Sequence, residues 1–202
     1  MKTLFINATV LETSRTLELA RYLLQYFDDV HEIDLKKDIV PPVDNNTFNI
    51  KYGALAKGEL THPSLKNALL LKEAETIVIA APIWNVGLPA SLKAFLDDAL
   101  ITNLTFAYGE HGNIVSLSNV KKVILVSTSG GKFLEEHTIG FIKDFSEMFF
   151  NTKDVALYKA EFLDVFKDKV KEILDATKAI IDKALSIVIS CCILFKAPWN
   201  AL

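Results

Sequence analysis

Short runs of β-branched and apolar residues alternate along the chain with longer amphipathic stretches, and that alternation predicts the elements. Thr3–Ile6 reads as a first strand, followed by an irregular segment over Asn7–Thr13. From Ser14 to Asp28, Leu17, Ala20, Leu24 and Phe27 recur on one stripe, the signature of a helix that buries a single face. Val30–Leu35 is a second strand. The polar stretch from Lys36 to Pro63 holds Pro41-Pro42, Asn45-Asn46 and Gly53. It is long for a plain connection, so a short helix is expected inside it. Ser64–Glu73 is helical, and Thr76–Ala81 is an unbroken apolar run of the kind buried on both faces of a sheet. Past a loop over Pro82–Pro89, the stretch Ala90–Leu100 is amphipathic through Leu92, Phe95, Leu96 and Ala99. Leu104–Leu117 alternates and carries Gly109 and Gly112-Asn113, a hairpin signal. A fourth strand, Val123–Val126, runs into Ser127-Thr128-Ser129-Gly130-Gly131. A helix from Ile139 to Phe150 leads to a fifth strand, Val155–Ala160, and a long closing helix spans Phe166 to Ile189.

Strands that alternate with helices require crossover connections, and these are right-handed and give a parallel sheet. Five such strands fit a doubly wound α/β domain with strand order 2-1-3-4-5. In that order ligands bind in a crevice at the carboxyl ends of the strands. The loops that follow strands one, three and four therefore receive the chemistry. One domain is expected over residues 1–190, with an atypical apolar tail over residues 191–202.

Composition narrows the function. Half of the 202 residues are hydrophobic and 23% are charged, enough apolar matter for a sizeable core. The net charge of −3 and basic clusters no longer than Lys36-Lys37 or Lys121-Lys122 argue against a nucleic-acid surface. Cys191 and Cys192 are adjacent, which suits neither a metal site nor a disulfide, and reads as reduced thiols in a cytoplasmic protein. The amino terminus enters a strand at once and lacks the blocks of a signal peptide. Ala184–Phe195 is nearly all apolar but shorter than the roughly 20 residues needed to cross a bilayer, so no membrane role is expected. A buried or partner-covered helix end and an atypical tail both fit it.

Glycine-rich phosphate motifs are missing. No G-x-G-x-x-G follows the first strand, and Gly53 and Gly58 have Walker spacing with Glu59 where lysine belongs. Each of the three loops offers something else. After strand one, Thr9, Thr13, Ser14, Arg15 and Thr16 gather hydroxyls and a cation where a loop becomes a helix, a place where free amides can bind a phosphate monoester. Ordinary capping by Ser14 or Thr13 explains the same residues. After strand three, Ile83-Trp84-Asn85-Val86 stands between Pro82 and Pro89, a shelf with an aromatic face and an amide that suits a flat heteroaromatic ring. A surface tryptophan covering the next helix is the alternative. After strand four, Thr128-Ser129-Gly130-Gly131 exposes backbone to the same crevice, or simply turns the chain.

The pattern Ala80-Ala81-Pro82-Ile83-Trp84-Asn85, with Pro89, Leu92-Lys93 and Phe95-Leu96-Asp97, resembles the FMN-dependent NADH-azoreductase family of flavodoxin-like proteins. The likeness continues through Leu104–Tyr108, Gly112, Lys121-Lys122 and Ser129-Gly130-Gly131. It implies a flavodoxin-like fold, noncovalent FMN, NADH as electron donor, and quinones or azo compounds as acceptors. It further implies a homodimer with FMN at the subunit interface. Residue by residue, Thr9 and Ser14-Arg15-Thr16 would hold the FMN phosphate, and Ile83, Trp84, Asn85 and Val86 would line the ring and ribityl chain. Thr128, Ser129, Gly130 and Gly131 would close over the ring edge. Phe106 and Tyr108 are candidates for the acceptor wall, with core packing the alternative. Trp84 stands where the family usually has tyrosine, Ser129 where arginine is common, and the segment after Gly131 is shorter than usual.

One pocket that serves donor and acceptor in turn implies ping-pong kinetics, with no covalent nucleophile. Two other classes are weighed beside this. A hydrolase is opposed by dispersed histidines (His31, His62, His111 and His137) and by the absence of a G-x-S-x-G elbow. A non-enzymatic electron carrier of the same fold should be more acidic than −3. Phe141, Phe145 and Phe149 fall on one helical face and are expected in the core; partial exposure would mark a dimer seam or pocket floor.

Overall fold

A computed structural model describes the backbone of residues 2–194 and the side chains of residues 2–186. The strands are β1 (Lys2–Asn7), β2 (Asp29–Asp34), β3 (Thr76–Ala80), β4 (Phe106–Tyr108), β5 (Ile114–Ser116), β6 (Lys122–Thr128) and β7 (Val155–Ala160). The helices are α1 (Arg15–Leu24), α2 (Asn45–Ala56), α3 (Lys66–Glu73), α4 (Ala90–Ala99), α5 (Phe141–Phe150) and α6 (Val170–Leu194). Five strands pair in parallel in the order β2-β1-β3-β6-β7, the expected 2-1-3-4-5. The expected hairpin is the separate antiparallel pair β4-β5.

Alternation along the central strands divides the core. Leu4, Ile6, Ile77, Ile79, Val123 and Leu125 face α3, α4 and α5 through Leu71, Phe95, Leu96 and Ile142. Phe5, Val78, Ile124 and Val126 face α1 and α6 through Leu19, Leu23, Leu174 and Ile181. A strand with period-two side chains that are apolar on both faces must be covered twice, which is why these strands read as unbroken apolar runs.

Helix boundaries differ from the expected ones where local chemistry intervenes. α2 has 12 residues, just over three turns, in place of a short helix, and Asp44 caps it by accepting from the Thr47 amide at 2.7 Å. Its apolar side packs Ala54 with Leu65, Ala68, Ile101 and Leu104. A π turn, Glu136–Gly140, precedes α5. The closing helix extends to Leu194 and takes in the first residues of the expected tail; the rest of that tail lies outside the described residues. Among the described residues no helix is long and apolar enough to cross a membrane.

α6 is tied to α1 and to the turn after it by a carboxylate shared between two tyrosines. Tyr22 donates to Asp182 at 2.8 Å and Tyr26 at 2.6 Å. These bonds hold the phenols in the protonated form, so Tyr22 is raised above its usual value and Tyr26 is pushed up to about 12. A raised folded-state value means that the contribution is complete below the unfolded value near 10 and is lost as pH rises through about 12. Tyr26→Phe is therefore expected to melt below the wild type at pH 9, with the gap closing toward pH 12. Melting curves across that range check it; a gap independent of pH would contradict the assignment.

Candidate functional site

The carboxyl ends of β1, β3, β6 and β7 deliver four loops to one rim. After β1, Asn7 turns the chain by accepting at Oδ1 from the Thr9 amide (3.1 Å) and hydroxyl (2.7 Å). Ser14 then caps α1, accepting from the Leu17 amide at 3.2 Å. Its own O–H stays free to donate outward. The Arg15 and Thr16 amides sit in the first turn, ahead of any intrahelical acceptor, and aim at the same rim. The Thr16 and Thr128 hydroxyls meet at 2.7 Å and join the first loop to the third. One hydroxyl donates to the other, and the accepting one keeps a hydrogen of its own to donate.

The loop after β3 is anchored by the Ala81 amide on Val126 O (3.1 Å) and the Ile83 amide on Thr128 O (2.9 Å). Trp84 and Gly87 then exchange both backbone hydrogen bonds, at 2.9 and 3.0 Å. The residues between them, Asn85 and Val86, have φ of 47° and 75°. Asparagine tolerates the left-handed region, but a β-branched valine there is strained. Strain of this kind persists where the surrounding structure fixes the turn, and it collects at functional sites. Here it carries Trp84 to the rim, with 44% of its surface exposed.

After β6, Ser129 bonds its hydroxyl to Gly131 O (2.7 Å) and its amide to Ala160 O (3.0 Å). The loop after β7 lies against this segment. Phe162, Leu163 and Asp164 donate their amides to Gly131 O, Ser129 O and Gly130 O at 3.1, 3.2 and 3.0 Å.

These loops enclose a cavity of about 380 Å³. Ser14, Arg15, Thr16, Ile83, Trp84, Thr128 and Gly130, all singled out from the sequence, line it together. The others do not. Thr9 is buried with its hydroxyl spent on Asn7, and Ser129 is buried and bonded to Gly131. Asn85 and Val86 occupy the exposed turn beyond the wall, and Gly131 accepts from Phe162 outside it. Phe106 is a core residue at 7% exposure, packed edge-on against Phe149 at 5.2 Å. Tyr108 is exposed, and neither aromatic reaches the cavity wall.

Thr13 and Pro82, read from the sequence as a loop hydroxyl and the border of the shelf, also line the cavity, and sequence reasoning missed Val10, Leu11 and Asp164. The rule that loops at the carboxyl ends of strands form the crevice applies equally to the fifth strand. Its loop was passed over because its residues, Glu161–Phe166, show no recognisable motif. A second cavity, of about 220 Å³ among Lys2, Asp29, His31 and Glu73, lies at the amino-terminal ends of β1 and β2, away from every one of these loops.

A parallel 2-1-3-4-5 sheet with its cavity over the first, third and fourth crossovers defines a flavodoxin-like protein. The family described as flavodoxin-like fold matches residues 1–183, and the chain belongs to that family. It is similar to the FMN-dependent NADH:quinone oxidoreductase of Coprothermobacter proteolyticus, 31% identical over 183 residues that cover 83% of this chain and 89% of the relative. The enzyme of the same name from Clostridium beijerinckii is 31% identical over 193 residues, covering 91% of this chain and 96% of the relative. Among solved structures, the azoreductase of Bacillus anthracis strain Sterne is 26% identical with a TM-score of 0.75, covering 92% of this chain and 98% of that one. The resemblance drawn from Ala80–Asn85 and its neighbours thus holds at the level of family.

Proposed function

We propose that the protein is an FMN-dependent NADH oxidoreductase that reduces quinones and azo compounds by two-electron, ping-pong turnover. The observation that carries this reading is the meeting of the α1 amino terminus, the Trp84 shelf and Gly130 around one cavity. The donor set fits a flavin monophosphate. Amides of the first helical turn, the Ser14 hydroxyl and the Thr16–Thr128 pair present donors at one end, with Arg15 beside them. Ile83 and Trp84 present an apolar and aromatic surface at the other.

Bound there, FMN supplies the hydride and electron chemistry. The chain's residues orient it. Asn85 and Val86, the strained turn, would set Trp84 to face the ring, while Ser129 and Gly131 fix the loop that carries Thr128 and Gly130. Thr9 serves by shaping the first loop. Phe106 packs on Phe149 of α5 and Tyr108 on Phe106, so the two would reach an acceptor only across a dimer seam. A mouth shared by nicotinamide and acceptor gives ping-pong kinetics.

The proposal includes a homodimer. Phe141, Phe145 and Phe149 are half-buried instead of sealed in the core, and Phe106 links Phe149 to the exposed Tyr108. With exposed Met148 this leaves an apolar face that a second copy would cover. A cytoplasmic place, where reduced nicotinamide is supplied, fits the same reading.

The deciding experiment follows NADH oxidation by the FMN-loaded protein with menadione and with an azo dye. Turnover with parallel double-reciprocal lines is expected. Flavin-loaded protein that oxidises neither NADH nor NADPH would leave an electron carrier, and failure to bind flavin would remove both readings.

A further inference from the structure

Arg15 is the only cation on the cavity wall among the described residues, and Asp164 is the only anion. They are paired, with Arg15 Nη2 on Asp164 Oδ1 at 2.8 Å. The other arm of the guanidinium donates from Nη1 to the Leu163 carbonyl at 3.0 Å. The fork therefore grips a carboxylate and a backbone oxygen of consecutive residues, a more demanding geometry than a simple surface contact. The gripped loop is the one whose three amides pair with Ser129, Gly130 and Gly131. It is also under tension, since Phe162 has φ of 63°.

Gly130 completes the arrangement. A Cβ at that position would lie 2.2 Å from Asp164 Oδ2 and 2.9 Å from its Cγ, so the carboxylate lies directly on the glycine backbone. A side chain at Gly130 would therefore push the Asp164 carboxylate aside, and it is this contact, not an unusual backbone angle, that favours glycine there. A positive group set out to hold a phosphate dianion is poorly served by a carboxylate at 2.8 Å. Uncharged donors at the start of α1 already supply the phosphate end.

We propose that Arg15 and Asp164 are positioning residues, a latch that fastens the loop after β7 onto Ser129–Gly131, the segment beyond the Thr16–Thr128 pair, and so sets how firmly the ring end of the flavin is held. The inference rests on the FMN reading for its ligand, but the latch itself is a property of the flavin-free chain. Arg15 acts through the loop, not on the phosphate. Because the pair is partly exposed, its effect is modest: about fivefold in flavin affinity, the scale of one exposed charge pair with an added hydrogen bond.

Two probes separate the roles, FMN and riboflavin, which share a ring system and differ by the phosphate. Asp164→Asn and Arg15→Gln are each expected to weaken both flavins by the same factor, and the double variant to be no worse than either alone. Gly130→Ala, which displaces the carboxylate without changing charge, should reproduce Asp164→Asn. In the flavin-free protein, hydrogen exchange at the Phe162, Leu163 and Asp164 amides should quicken in all these variants. Tighter FMN binding in Asp164→Asn, or a loss in Arg15→Gln confined to FMN, would show Arg15 acting on the phosphate and overturn the latch. Unchanged exchange at the three amides would overturn it too. If the wild type takes up neither flavin, the proposed function fails, and the exchange measurement still decides the latch.

Discussion

Lys51→Ala is expected to lower the melting midpoint by about ten degrees. Lys51 lies on α2 at 4% exposure, a rare place for an ammonium. It is tolerated because its Nζ donates to the Asp98 carbonyl at 2.6 Å and pairs with the Asp98 carboxylate. Asn67 Nδ2 bonds the other carboxylate oxygen at 2.9 Å, so α2, α3 and α4 converge on one buried acid. Truncating the lysine leaves that acid buried with a single neutral donor. Breaking one side of a buried pair costs about 3–5 kcal/mol, whereas replacing both sides by apolar groups is often close to neutral. For a chain of this size each 1 kcal/mol moves the midpoint by roughly 2–4 °C. The double variant Lys51→Met/Asp98→Leu should therefore melt well above Lys51→Ala. Calorimetry on the three proteins tests this. A Lys51→Ala midpoint within two degrees or so of wild type would mean that Asp98 finds water or another partner.

Thr13→Asp should act in opposite directions on the fold and on the ligand. Thr13 precedes the Ser14 cap and lines the cavity. A carboxylate beside a helix amino terminus meets the positive end of the dipole and stabilises it by roughly 0.3–1 kcal/mol. The same charge opposes a phosphate bound at that end. Were the phosphate to sit about 5 Å from that carboxylate, at an effective dielectric between those of water and a protein surface, repulsion of a dianion would come to about 2–3 kcal/mol. FMN affinity should accordingly fall by about 30- to 150-fold, while riboflavin affinity stays near the wild-type value. The deficit should shrink as salt is raised, because the site opens to solvent. Flavin fluorescence titrations with both ligands, alongside a melting curve, provide the measurement. Equal losses for the two flavins would place the phosphate somewhere other than the start of α1.

The strand order and the position of the crevice were legible because they depend on local hydrophobic patterns. Thr76–Ala80 must be covered on both faces whatever surrounds it, and that alone calls for helices above and below. The hairpin was equally plain from its alternation and its Gly112-Asn113 turn. The site was legible in part. Ser14 and Trp84 sit where a strand gives way to a helix, so their approximate place follows from topology. Thr9 and Ser129 carry the same residue types at similar places, yet their hydroxyls turn inward to Asn7 and Gly131. Nothing in residue type reveals which way a hydroxyl turns.

The sequence by itself determined a doubly wound sheet and the rim at which its loops meet, since hydrophobic period and strand length are properties of short segments. Only the tertiary structure decided the fate of the charges. Arg15 reaches Asp164 across 149 positions, and Lys51 reaches Asp98 across 47. An ion pair depends on distance in space, which the chain sets only once it has closed on itself.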